Sequence, residues 1–132
     1  MKIDHIGIAV RSIEQALAPY ENALGIRATG YEEVEDQGVK VAMLPLGESR
    51  LELIEPRGDG SPIEKFLARR GPGIHHIAVR VDDIEACLAR FKAAGLRLID
   101  ETPRKGADNT QVAFVHPSAM NGVLLELVEH GE

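Results

Sequence analysis

Ile3-Asp4-His5-Ile6-Gly7-Ile8-Ala9-Val10-Arg11-Ser12-Ile13-Glu14 is written a second time as Ile74-His75-His76-Ile77-Ala78-Val79-Arg80-Val81-Asp82-Asp83-Ile84-Glu85. The two histidines lie 71 positions apart (76 − 5), and at that offset Ile6 meets Ile77, Val10 meets Val81, Leu17 meets Leu88 and Tyr20 meets Phe91. Val41-Ala42-Met43-Leu44 matches Val112-Ala113-Phe114-Val115 in the same register. Further on, Leu51-Glu52-Leu53-Ile54-Glu55 matches Leu125-Glu126-Leu127-Val128-Glu129 at an offset of 74 (126 − 52). The slip places three extra residues in the second copy, in the turn from His116 to Gly122. The chain is therefore an internal duplication, and each copy brings one His and one Glu to equivalent places.

Each copy reads β-α-β-β-β. Residues 2–10 alternate as a strand, with Ile6, Ile8 and Val10 on one face and His5, Gly7 and Ala9 on the other. Ser12 caps a helix and Gln15 completes a capping box. Ile13, Ala16, Leu17, Tyr20 and Leu24 form the helix's expected buried stripe, and Gly25 closes it. Strands are expected at 27–34, 39–46 and 49–55, separated by Gly38 and by Pro45-Leu46-Gly47-Glu48. Ser61-Pro62-Ile63-Glu64 then opens a connecting helix, with Ser as cap and Pro at the first position. The second copy has an expected strand at 74–81 and a helix at 84–94 capped by Asp82 or Asp83. Strands near 97–101, 110–116 and 122–129 follow, with Arg104 to Asn109 as a polar loop of the kind that carries ligand contacts. The expected organisation is one domain over 1–132: a first module at 1–56, a linker with a short helix at 57–73, and a second module at 74–132.

Length and composition fit one buried core. The 132 residues are 44% hydrophobic and 27% charged, ordinary values for a soluble protein. The expected location is the cytoplasm: no apolar run approaches the roughly 18 residues of a membrane span, and the N-terminus enters a strand pattern without a signal or transit peptide. A single cysteine, Cys87, excludes an internal disulfide and reads as a small core residue. A net charge of −6 with 4% aromatic residues argues against nucleic acid or an anionic membrane as partner.

The residues that carry chemistry are His5, Glu52, His76 and Glu126. A lone strand histidine or glutamate is usually structural or solvated. Two of each at matched repeat positions, on the faces opposite their strands' aliphatic sets, are harder to dismiss. A carboxylate flanked by Leu51 and Leu53, or by Leu125 and Leu127, is costly to bury unless it is paired or bound to a metal. Imidazole and carboxylate together suit a divalent transition ion. His75 matches Asp4 instead, faces the other way, and is read as structural.

These stretches, with Gln37-Gly38-Val39-Lys40-Val41, Ser61-Pro62-Ile63, Gly73-Ile74-His75-His76 and His116-Pro117 before Gly122-Val123, resemble the vicinal oxygen chelate superfamily (glyoxalase/dioxygenase-like). Within it they resemble the methylmalonyl-CoA epimerase family, over essentially the whole chain. The resemblance implies an α+β fold in which two tandem βαβββ modules form one curved, barrel-like mixed sheet with helices outside. It implies His5, His76 and Glu126 as metal ligands, with Glu52 as a further ligand. Cobalt is the implied ion, with zinc, nickel, manganese or magnesium as alternatives. The implied reaction is epimerisation at C2 of an acyl-CoA thioester, in a homodimer. Glu52 and Glu126 are the candidate acid/base pair for moving the proton. Arg104 and Lys105 are the candidate contacts to the CoA tail. Here the loop reads Gly106-Ala107-Asp108-Asn109 where the family commonly has Gly-Ala-His-Gly, and Ser118 stands where Lys is common. Two other readings compete: a glyoxalase I-like lyase, against which His116-Pro117-Ser118-Ala119 speaks, and a metal-free ligand-binding protein of the same fold, which has no use for four converging polar groups.

Overall fold

The computed structural model describes residues 1–131; residue 132, the last of the expected second module, lies outside the described residues. Among the described residues, eight strands and three α-helices follow the order β-α-β-β-β-α-β-α-β-β-β, giving the α+β class. The elements are β1 (Lys2–Ala9), α1 (Ile13–Asn22), β2 (Gly30–Val34), β3 (Val39–Leu46), β4 (Ser49–Pro56), α2 (Pro62–Arg70), β5 (Gly73–Arg80), α3 (Ile84–Ala93), β6 (Arg104–Lys105), β7 (Thr110–Val115) and β8 (Leu125–His130). Two compact units result: His5–His75, and Met1–Asp4 with the chain from His76 onward.

In the first unit, β4 lies parallel to β1 and antiparallel to β3, which pairs antiparallel with β2. Period-2 alternation splits the apolar residues between two faces. Leu53, Leu44 and Ala42 pack with Val10 against Ile13 and Leu17 of α1. Ala9, Val41, Val39 and Ile54 pack on the other face against Ile63 and Leu67 of α2. Fully burying each large aliphatic side chain contributes about 1.5–3 kcal/mol. The caps work as the sequence implies: Ser12 Oγ accepts the Gln15 N–H at 3.3 Å, and Ser61 Oγ accepts the Glu64 N–H at 3.1 Å. Helix α1 stops at Asn22, so Leu24 is off the helical face and 66% exposed, against its expected place in the buried stripe. Strand β2 begins at Gly30 rather than at 27, with Thr29 making one more bond to Met43.

In the second unit, β8 is parallel to β5 and antiparallel to β7. Val81, Ile84, Cys87, Leu88, Ala113, Val115 and Leu127 form its core under α3, whose cap is Asp83. The strand expected at 97–101 does not form. Leu98 makes an isolated bridge to Val115, and Asp100 accepts the Phe114 N–H at 2.8 Å through its side chain. That bond satisfies a donor of β7 with a carboxylate, and Pro103 removes a donor just beyond. Pairing resumes at Arg104–Lys105, which the sequence reading assigns to a loop. Strand β8 starts at Leu125 rather than at 122, because the Gly122 N–H donates to the carbonyl of Pro117 in a 3-10 turn (Pro117–Ala119) and the Val123 N–H donates to the carbonyl of Met120.

Candidate active site

The β1–β4 register sets His5 opposite Arg50 and Gly7 opposite Glu52, so His5, Arg50 and Glu52 share one face of the first unit. His5 Nδ1 stands 3.5 Å from Glu52 Oε2, with the two side chains only 7% and 11% exposed. Arg50 Nε donates to the same Glu52 oxygen at 2.7 Å. A buried carboxylate needs such partners, and this guanidinium offsets its charge. Arg50 was missed in the sequence reading. Its signal was present: two residues before Glu52 on a strand is the same face.

The second unit repeats the pair. Glu126 lies opposite Ala78 in the β5–β8 ladder, two residues on from His76, and His76 Nε2 is 3.1 Å from Glu126 Oε1. Both residues are buried. Phe114 is the cross-strand partner of Glu126 on β7, and its ring meets the His76 ring edge-on with centroids 5.8 Å apart. The Arg104 guanidinium also lies 5.5 Å from the Phe114 ring centroid, in cation–π range. Asp100 Oδ2 holds Arg104 Nε at 3.6 Å. His76 and Arg104 thus both contact the Phe114 ring. Adjacent strand residues point to opposite faces, so Lys105 is on the other side of β6 and does not join them.

The donor set can be tested against a metal. Ligand bonds of roughly 2.0–2.2 Å for zinc put two donors of one ion about 3 Å apart. The imidazole–carboxylate separations in the two units, 3.1 and 3.5 Å, are of that size. A buried imidazole nitrogen beside a buried carboxylate is also the ligand pairing a divalent transition ion takes, and the pair in each unit is of that kind. His75 sits outside these pairs, its ring edge-on to Phe66 at 5.1 Å.

Among the described residues no helix is long and apolar enough to cross a membrane. Residues 4–114 match the family model of the glyoxalase/bleomycin resistance protein/dioxygenase superfamily. The chain is 41% identical to the ethylmalonyl-CoA/methylmalonyl-CoA epimerase of Cereibacter sphaeroides, over 96% of each protein. It superposes on the crystal structure of methylmalonyl-CoA epimerase from Mycobacterium tuberculosis with a TM-score of 0.93 at 39% identity, covering 99% of this chain and 89% of that one. A methylmalonyl-CoA epimerase solved in complex with methylmalonyl-CoA and an ammonium ion is 37% identical, with a TM-score of 0.93 over 98% of this chain and 94% of that one. With a duplicated βαβββ plan, a His–Glu pair in each half and this likeness along its whole length, the chain belongs to the methylmalonyl-CoA epimerase family of the glyoxalase/bleomycin resistance protein/dioxygenase superfamily.

Proposed function

We propose that this protein is a metal-dependent epimerase that interconverts the two C2 epimers of methylmalonyl-CoA. The observation that carries the proposal is the repeated buried His–Glu pair, in a chain of an epimerase family. His5, His76 and Glu126, the positions the family resemblance implies, are the proposed ligands of one divalent ion, with Glu52 as a fourth. Cobalt is the ion proposed. When bound, such an ion supplies Lewis-acid polarisation of a thioester carbonyl, worth several kcal/mol as charge develops on the oxygen.

The chain's own residues supply the proton transfers. C2 of the substrate lies between a thioester carbonyl and a carboxylate, so its proton is acidic enough for a carboxylate base to remove. Inversion needs one group to take that proton from one face and another to return a proton to the opposite face. Glu52 and Glu126 belong to different halves of the duplication and are assigned these two roles. Each has two oxygens, so a ligating oxygen leaves a second for the proton. Arg50, bonded to Glu52 Oε2, holds that carboxylate in position. The buried setting of both glutamates keeps bulk water from competing for the proton. Lys105, exposed on the edge strand, is the cation proposed for the phosphates of the CoA tail.

The test is proton exchange at C2 of methylmalonyl-CoA in deuterated water, with and without a chelator. Deuterium uptake with inversion that stops on metal removal is the expected result. Uptake indifferent to the chelator overturns the metal's role, and no uptake by metal-loaded protein overturns the proposed reaction.

A further inference from the structure

Arg50 and Glu52 stand two residues apart on β4, on the face of the first unit that also carries His5. Arg50 Nε donates to Glu52 Oε2 at 2.7 Å, and His5 Nδ1 is 3.5 Å from that same oxygen. Among the described residues, both polar partners of this carboxylate therefore meet Oε2, and Oε1 takes neither. A carboxylate anchored at one oxygen by a short charge-assisted bond is fixed in orientation, and its second oxygen keeps lone pairs that can accept a proton.

The second copy is built differently at this point. The offset of 74 that lays Glu52 on Glu126 lays Arg50 on Leu124 (124 − 50), so an aliphatic side chain replaces the guanidinium there. The cross-strand neighbours differ as well: Met43 is opposite Glu52 on β3, and Phe114 is opposite Glu126 on β7. Duplication made the two carboxylates equivalent in sequence, and Arg50 makes their settings unequal. We propose that Arg50 is a positioning residue for proton transfer at one face of C2 only: by holding Oε2 it presents Oε1 to the substrate. This rests on the epimerase reading above and deepens it. In that step the C2–H bond breaks, its electron pair stays on the substrate as an enolate, and an O–H bond forms at Glu52 Oε1. The other epimer gives its proton to Glu126, a transfer in which Arg50 has no part.

The experiment supplies each epimer of methylmalonyl-CoA separately, in deuterated water, to metal-loaded protein and follows the first deuterium into C2. Native protein, Arg50→Leu, Arg50→Lys and Glu52→Gln are compared, leucine being the residue of the other copy. A misplaced catalytic group costs roughly ten- to a hundred-fold in rate. Arg50→Leu is expected to slow uptake from one epimer by that factor and to leave uptake from the other, with retained configuration, at the native rate. Glu52→Gln should slow the same epimer, and Arg50→Lys should recover part of the loss. Metal content, read by elemental analysis, should stay native in Arg50→Leu, and its loss there overturns the inference. Equal slowing of both epimers overturns it too, since a structural role predicts that outcome. So does slowing of the epimer that Glu52→Gln spares, and so does uptake unchanged from both. Absence of C2 exchange in the native protein is a separate failure, of the reaction itself, and removes the inference with it.

Discussion

The carboxylate of Glu129 closes the N-terminus of α3 by accepting the backbone N–H of Ile84 at 2.8 Å. Its repeat counterpart does the same for α1, where Glu55 Oε1 accepts the Ile13 N–H, also at 2.8 Å. Each copy of the Leu-Glu-Leu-x-Glu motif therefore carries two carboxylates with different tasks. The first points to the face with the histidine, and the second, three residues on, points to the helix side and satisfies an orphan donor at the positive end of the helix.

Replacing either capping glutamate should therefore cost stability and little else. Glu129→Ala and Glu55→Ala are each expected to destabilise their units by about 1–2 kcal/mol, the range for loss of an N-terminal cap or a charge-assisted bond. Urea unfolding measures this. A change under a few tenths of a kcal/mol in both would mean that the N–H groups find water instead.

Glu52→Gln keeps the shape of the side chain and removes its basicity. As one of the two groups proposed to transfer the proton, Glu52 should lose at least roughly 10²-fold in turnover on substitution, within the usual contribution of a general base. Metal content, read by elemental analysis, should stay near that of the native protein. Near-native turnover would reassign Glu52 as a replaceable ligand.

Divalent metal should stabilise the fold. An ion held at a hundred times its Kd raises stability by about 2.7 kcal/mol, which a thermal melt detects readily. Cobalt added to metal-stripped protein should raise Tm, and His76→Ala should lose most of that rise. An equal rise in His76→Ala would place the ion elsewhere.

Leu53 has no exposed surface and packs between β1, β3 and α1. Leu53→Ala should cost about 2–5 kcal/mol, through lost burial and the cavity left behind. Denaturant unfolding followed by far-ultraviolet circular dichroism checks it, and a loss below 1 kcal/mol would show that the site collapses around the change.

Much of this was legible in the chain. Period-2 alternation put His5 and Glu52, or His76 and Glu126, opposite their aliphatic neighbours, and the parallel ladders make those faces coincide. Ser12, Ser61 and the Asp82-Asp83 pair, of which Asp83 is the one used, announced three helix starts because a cap is a local bond between residues three apart. Residues 97–101 misled because the repeated βαβββ order calls for a strand there, while the donor that would extend the ladder goes to the Asp100 side chain. Leu24 misled because it lies two residues past the helix end at Asn22, where the 3.6-residue period no longer holds.

The sequence by itself determined the duplication, the order of elements and the residue types at the chemistry-bearing positions, since these follow from spacing and from local hydrogen bonding. Tertiary structure alone decided that Arg50 shares an oxygen of Glu52, that Arg104 rests on Phe114 while Lys105 turns away, and that Glu55 and Glu129 reach the helices. Each of those is a side-chain meeting set by strand register and rotamer, and neither is written in the period of the chain.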